Sequence, residues 1–183
     1  MSLNEDNTIN KNLKIALLGS VKTGKSTFLR KLIYKKVDKD LEYLPTLGPI
    51  YGSCSFDLEH GNFKLEIWDT SGQEKYYSLN KIFIRDSEII FIFYNSYDIS
   101  SFETAKIMVE TCKENAKKNT LFVLIRSRYD EYLESNENKK IISDEEALEY
   151  ADLNNLLFAH LSNYEKNGTG NDLLKIVLKN FIN

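Results

Sequence analysis

The chain has 183 residues, 24 Lys+Arg against 27 Asp+Glu, a net charge of −3 and 42% hydrophobic residues. That length and composition suit one globular domain rather than a disordered or fibrous chain, and the slight acidity supplies no basic field for nucleic acid. No apolar run reaches the roughly 18 residues of a membrane-spanning helix, and two lone cysteines, Cys54 and Cys112, make no disulfide framework.

Residues 1–12 read as a polar N-terminal extension without the apolar core of a secretory signal, and residues 13–183 as a single domain. A β-rich run at Lys14–Leu18 leads into a helical segment at Lys25–Lys36. Runs at Ile50–Leu58 and Phe63–Trp68 read as one hairpin, with Gly61 supplying a permissive backbone in the turn 59–62. Strand Glu88–Tyr94, helix Ser101–Lys118, strand Leu121–Ile125, helix Ser143–Asn155, strand Leu156–Leu161 and helix Asn171–Ile182 follow. Ile107, Val109 and Cys112 mark one apolar helical stripe, and Leu173, Leu174, Val177 and Leu178 another. Asp144-Glu145-Glu146 after Ser143 marks a helix start, where negative charge meets the helix dipole. The alternation predicts an α/β fold: a mainly parallel six-stranded sheet with one antiparallel edge strand and helices on both faces. Ligands of such folds bind beyond the carboxyl ends of the strands.

The first strand runs directly into Gly19-Ser20-Val21-Lys22-Thr23-Gly24-Lys25-Ser26, which is G-x-x-x-x-G-K-S in its strand–loop–helix setting. Backbone N–H groups of such a loop cradle phosphates at the positive end of a helix. Lys25 is expected on the β- and γ-phosphates and Ser26 on Mg²⁺, with Thr27 closing the phosphate-binding set. After the strand Phe63–Trp68 comes Asp69-Thr70-Ser71-Gly72-Gln73. There Asp69 can hold Mg²⁺ through water, the Gly72 N–H can meet a γ-phosphate, and Gln73 can orient an attacking water.

With these two motifs the sequence resembles a small GTPase of the Ras superfamily, most like its Rab branch, over Leu13 to Phe181. The resemblance implies a P-loop GTPase domain over residues 13–183. Tyr43-Leu44-Pro45-Thr46-Leu47-Gly48 then corresponds to the first switch, with Thr46 on Mg²⁺ in the GTP state and Tyr43 over the phosphates. Phe93-Tyr94-Asn95-Ser96-Tyr97-Asp98, followed by Ser101-Phe102, matches the family's segment after the fourth strand. The base-reading segment would be Ser127-Arg128-Tyr129-Asp130, where the family has Asn-Lys-x-Asp. Asp130 would accept from guanine's ring N–H and amino group and so discriminate against adenine, and the Arg128 guanidinium would lie against the purine. Ser127 is shorter than the Asn that ties this loop to the phosphate loop, which predicts weaker base binding. Ser162 and Asn163 stand where the family has Ser-Ala-Lys, next to the guanine oxygen.

Val21 occupies a loop position where the family has Gly or Ser. Its branched side chain would crowd Gln73 and a partner's arginine, so hydrolysis is expected to be slow. Lys22, where Gly is common, either adds phosphate attraction or is simply solvated. His60, His160 and the two cysteines read as structural, and Tyr76 and Tyr77 as either an exposed partner surface or ordinary packing.

The expected protein is a monomeric Rab-like GTPase that binds GTP or GDP with Mg²⁺ and acts as a switch in vesicle traffic. Exchange factors, activating proteins and effectors would be its partners, and nucleic acid would not. A cytoplasmic location is expected, with membrane association only through a lipidated tail, since no cysteine follows Cys112. The competing reading is a scaffold of the same fold with weak nucleotide binding or negligible hydrolysis. A P-loop kinase is disfavoured, because Thr46 and the Asp69–Gln73 segment have natural places only in a GTPase.

Overall fold

In the computed structural model, residues 2–3, 9–34, 46, 48–59, 61–72, 77–127, 142–162 and 169–182 are described. Seven strands and five helices alternate along them: β1 Ser2–Leu3, β2 Ile9–Gly19, α1 Lys25–Tyr34, β3 Ile50–Leu58, β4 Gly61–Asp69, α2 Tyr77–Arg85, β5 Ile89–Asn95, α3 Ile99–Asn115, β6 Leu121–Ser127, α4 Asp144–Leu153, β7 Leu157–His160 and α5 Thr169–Ile182. The main sheet runs β3-β4-β2-β5-β6-β7. Every neighbouring pair in it is parallel except β3 with β4. This is the expected six-stranded mixed sheet of a Ras-like domain. It is extended by β1, which pairs antiparallel with Ile9–Asn10.

Burial explains the order. β5, Ile89–Asn95, is buried at every position, as a central strand covered on both faces must be. Alternate residues of the central strands feed two separate cores. Leu13, Ile15 and Leu17 join Phe91 and Phe93 under α1 and α5, through Phe28, Leu29, Leu174 and Val177. Ala16 and Leu18 join Ile90, Ile92 and Tyr94 under α3 and α4, through Phe102, Val109, Ala147 and Ala151. β4 instead alternates, with Phe63, Leu65 and Ile67 inward and Asn62 and Lys64 outward, so part of the sheet faces solvent on one side.

The structure corrects four sequence expectations. β2 begins at Ile9, so residues 9–12 of the polar extension belong to the sheet, where Asn10 and Asn12 face the open side and escape the apolar pattern. Leu58 pairs with Gly61, leaving only residues 59 and 60 between the hairpin strands, and the glycines with positive φ among the described residues are Gly19 and Gly24, not Gly61. On α3 the stripe is phased differently: Phe102, Ala105, Met108, Val109 and Cys112 are buried, and Ile107 points to solvent. α2 was not foreseen. It buries Ile84 in the second core and lays Phe83 against Trp68, ring centroids 5.1 Å apart.

The helix caps follow local chemistry. Asp98 accepts from the Ser101 N–H at the start of α3, and Ser143 accepts from the Glu146 N–H at the start of α4, ahead of the acidic turn Asp144–Glu146.

Among the described residues the largest wholly buried side chain is Arg126, near the end of β6 and 0% exposed. Its guanidinium donates to the Tyr94 hydroxyl (3.0 Å), the Ile142 carbonyl (3.0 Å), the Ser143 carbonyl (2.8 Å) and the Asp144 carboxylate. One side chain thus ties β5 and β6 to the first turn of α4. A guanidinium can be buried when its donors are satisfied in this way, and removing one partner of a buried pair costs about 3–5 kcal/mol. Arg126→Ala is therefore expected to lower the unfolding free energy by roughly 3 kcal/mol, read from the midpoint shift in urea at unchanged m-value.

Candidate functional site

The loop that follows β2 closes around the ammonium of Lys25. Nζ donates to the carbonyls of Gly19 (2.9 Å) and Ser20 (2.7 Å), with the Thr23 hydroxyl at 3.4 Å. The Thr23 hydroxyl in turn donates to the Ser20 carbonyl at 2.8 Å. The path needs unusual backbone: φ is +139° at Gly19, +62° at Lys22 and +83° at Gly24. At Gly19 a Cβ would lie 2.4 Å from the Phe93 carbonyl oxygen, so β5 leaves no room for a side chain. At Lys22 a side chain sits in the left-handed region, which costs about 1 kcal/mol in a non-glycine residue. That position is where glycine would be unstrained, and the Lys22 side chain is exposed. Helix α1 starts at once, with the Phe28 N–H donating to the Gly24 carbonyl at 2.9 Å.

Asp69 ends β4 beside Leu17 of β2. Its carboxylate is 0% exposed and neither oxygen has a hydrogen-bond partner. Burial raises its pKa, and Lys25, Arg30 and a Ser26 hydroxyl that is near without hydrogen-bond geometry offset only part of that rise. The Ser20 hydroxyl is also buried without a partner. Unpaired buried polar groups of this kind are costly and rare. A hard divalent cation would satisfy the carboxylate, and the hydroxyls nearby are the oxygen donors that Mg²⁺ prefers. The residues present therefore fit Mg²⁺.

Thr46 joins this group from a distant segment. Its hydroxyl lies 2.9 Å from the Ser26 hydroxyl, and its carbonyl accepts from the Ser71 hydroxyl at 2.8 Å. Thr70 is pinned to β2 by its hydroxyl bond to the Leu17 carbonyl, 2.8 Å. Gly72 touches the phosphate loop itself: a Cβ there would lie 2.6 Å from both the Ser20 carbonyl carbon and the Val21 nitrogen. The Val21 side chain is 38% exposed.

The structure thus gathers Gly19 to Ser26, Thr46, Asp69 and Gly72, with half-buried Thr27 the third residue of α1. Tyr43, Gln73, Tyr76, Arg128, Asp130 and Asn163 lie outside the described residues, as do His60 and the side chain of Tyr77. Ser127 is buried at the end of β6, and its hydroxyl donates to the Tyr94 carbonyl at 2.8 Å. Ser162 is buried just past β7, after the Leu161 N–H donates to the Arg126 carbonyl at 2.8 Å. Both serines therefore stand at carboxyl ends of strands, on the same edge of the sheet as the phosphate loop.

Cys112 is buried with its thiol pushed up to about 12, and burial also raises that of half-buried Cys54, so neither is a reactive thiolate. His160 has its pKa lowered, chiefly by burial and further by Arg126, against the opposing pull of Asp144 at 3.8 Å.

A model of the Ras family matches residues 14–181. The chain belongs to the Ras family. It is 32% identical over 162 residues to Ras-related protein Rab5A of Oryza sativa subsp. japonica, covering 88% of this chain and 76% of the relative. Against Ras-related protein Rab-2B of Dictyostelium discoideum it is 31% identical over 149 residues, 81% of this chain and 70% of the relative. Against Ras-related protein RHN1 of Nicotiana plumbaginifolia it is 30% identical over 154 residues, 84% and 73% of the two chains. This is a divergent Rab-like small GTPase, and its family is one of GTP hydrolases that bind guanine nucleotide and Mg²⁺. Among the described residues no helix is long and apolar enough to cross a membrane.

Two features of this GTPase escaped sequence reasoning. Tyr51 and Trp68 face each other across the β3–β4 register with ring centroids 5.0 Å apart, and Phe83 continues the stack. Tyr51 is 48% exposed, so the stack borders solvent; the period-2 alternation of the hairpin carried that signal. The Ser71–Thr46 bond joins residues 25 positions apart and has no local signature.

Burial lowers the Lys25 pKa to about 8 against 10.5, with Asp69 pulling it back up. Between those values the unfolded chain keeps a proton on this side chain that the nucleotide-free fold has lost, so the Lys25 contribution to stability rises with pH across pH 8 to 10.5, against the opposite contribution of the raised Cys112 thiol. The gain is roughly 3 kcal/mol for the whole shift. It is expected to vanish in Lys25→Met, as seen in the difference between the two proteins' urea denaturation free energies over that pH range.

Proposed function

We propose that this protein is a guanine-nucleotide switch of vesicle traffic that hydrolyses GTP slowly. The observation that carries the reading is the buried charge pair at the carboxyl ends of β2 and β4. A buried ammonium is held by the phosphate loop, and a wholly buried carboxylate with no hydrogen-bond partner stands near the Ser26 hydroxyl, which is itself 2.9 Å from that of Thr46. Anionic phosphates complement the first and a divalent cation the second.

On this reading Lys25 and the loop N–H groups bind the β- and γ-phosphates. Ser26, Thr46 and, through water, Asp69 hold Mg²⁺. Mg²⁺ supplies charge that offsets what develops on the phosphate oxygens. Gly72 lets its segment lie against the phosphate loop, and Gln73 orients water for in-line attack on the γ-phosphate. Asp130 and Arg128 read guanine, with Ser127, Ser162 and Asn163 around the base. Thr46 and Gly72 are held while the γ-phosphate is present and released after hydrolysis. Exchange factors, activating proteins and effectors are the partners expected of the family, and the solvent-bordering stack of Tyr51, Trp68 and Phe83 supplies aromatic surface of the kind protein interfaces use.

Val21 sets the rate. Its backbone N–H abuts Gly72, one residue before Gln73, so a branched side chain there narrows the space for water, glutamine and an incoming arginine. The test is the nucleotide that co-purifies, released by denaturation and identified by ion-exchange chromatography, together with single-turnover hydrolysis. Bound guanine nucleotide is expected, and Val21→Gly should raise the single-turnover rate by roughly ten- to a hundredfold. An empty site that also fails to take up added GDP sinks the switch reading in favour of a scaffold. An unchanged rate in Val21→Gly removes Val21 as the brake.

A further inference from the structure

Ser71 sits between two residues that are already fixed. On one side the Thr70 hydroxyl is bonded to the Leu17 carbonyl of β2, and on the other Gly72 packs on the backbone of Ser20 and Val21. Ser71 itself is 4% exposed, so its hydroxyl is a preorganised donor on a rigid base. The acceptor is different in kind. Thr46 is half-buried and lies in a segment between α1 and β3, and the carbonyl it presents is the one Ser71 meets at 2.8 Å. The same residue's hydroxyl is thereby held 2.9 Å from the Ser26 hydroxyl. One bond from Ser71 therefore sets where the Thr46 hydroxyl stands.

We propose that Ser71 is a positioning residue that latches Thr46 into its docked place and so biases the protein toward the triphosphate-bound arrangement. The inference rests on the guanine-nucleotide reading above. A ligand that needs Thr46 docked binds with an apparent affinity scaled by the docked fraction, whereas one that does not need it is indifferent to that fraction. Ser71 thus strengthens GTP binding relative to GDP without touching either nucleotide. A part-buried hydrogen bond of ordinary strength accounts for about a fivefold change in that ratio.

The experiment is displacement of a fluorescent GDP probe, in excess Mg²⁺, by GDP and by a non-hydrolysable GTP analogue. In Ser71→Ala the preference for the analogue over GDP should fall about fivefold, with GDP affinity within about twofold of the parent. Ser71→Thr and Ser71→Val differ only in the hydroxyl, so the threonine variant should keep the parent ratio and the valine variant should lose it. An unchanged ratio in Ser71→Ala, or threonine and valine variants that behave alike, overturns the latch. If the parent protein takes up no GDP at all, the nucleotide reading falls and the latch falls with it; if it binds GDP and the ratio is unmoved by Ser71→Ala, only the latch falls.

Discussion

The ammonium of Lys25 is buried inside its own loop, and most of the local geometry follows from satisfying it. A desolvated ammonium needs acceptors on several sides, and the sequence supplies them from the backbone by turning the Gly19 and Ser20 carbonyls inward. That turn requires left-handed or otherwise glycine-like backbone at Gly19, Lys22 and Gly24. It also requires β5 to lie so close to Gly19 that no side chain fits. The close approach is possible because β2 and β5 pair in register through Gly19 and Phe93 in the middle of the sheet. The burial of Leu17, Leu18, Phe91 and Phe93 on both faces holds that register rigidly. The hydrophobic core therefore acts on the site through one strand pairing.

A second consequence of the sheet is the neighbourhood of Lys25 and Asp69. Adjacent strands lie roughly 4.8 Å apart, and the parallel register of β2 with β4 sets Leu17 beside Asp69. The phosphate loop and the Asp69–Gly72 segment therefore leave the sheet side by side. Thr70 makes the junction stiff by bonding back to Leu17, and Gly72 completes it by contact with Ser20 and Val21. A larger residue at position 72 would push the two loops apart at the place where the chemistry needs them close. Topology alone brings a cationic and an anionic group together, and the missing partners of Asp69 say what kind of ligand belongs there.

How much of this was legible in the sequence depended on range. The phosphate loop is contiguous and carries its own strand–loop–helix context, so Gly19 to Ser26 could be read directly, and the apolar runs of β5 and β6 announced a covered parallel sheet. Residues 9–12 were missed as strand because Asn10 and Asn12 face the open side of the sheet and Lys11 sets its ammonium over the Phe181 ring. α2 was missed because Tyr77–Arg85 is short, rich in aromatic and β-branched residues, and closes its pattern only against Trp68 and the second core. Ile107 misled because adjacent apolar positions allow two phases of a helical stripe, and only the position of the sheet chooses between them. The Ser71–Thr46 bond and the Arg126 cluster join residues brought together by the fold, and no local spacing encodes such pairs.

On the guanine-nucleotide reading, Arg126 and Ser127 also show why the two ends of the site are held differently. The phosphate end is fixed by the loop, Asp69 and the Thr46–Ser71 contact, all anchored on β2 and β4. At the other end the Ser127 hydroxyl bonds the Tyr94 carbonyl, and Arg126 next to it binds β5 and the first turn of α4. Strand β6 is thus braced by β5 and α4, and Ser127 is shorter than the asparagine that the family carries at this position. On the guanine-nucleotide reading, base and phosphates are then gripped by two separately braced units with one tie fewer between them. Affinity in such a site leans on the charged end, where Lys25 and a cation on Asp69 act at low dielectric and each contact is stronger than it would be in water. It follows that discrimination between di- and triphosphate, which is decided at that end, can be tuned by a residue such as Ser71 without disturbing how the base is held.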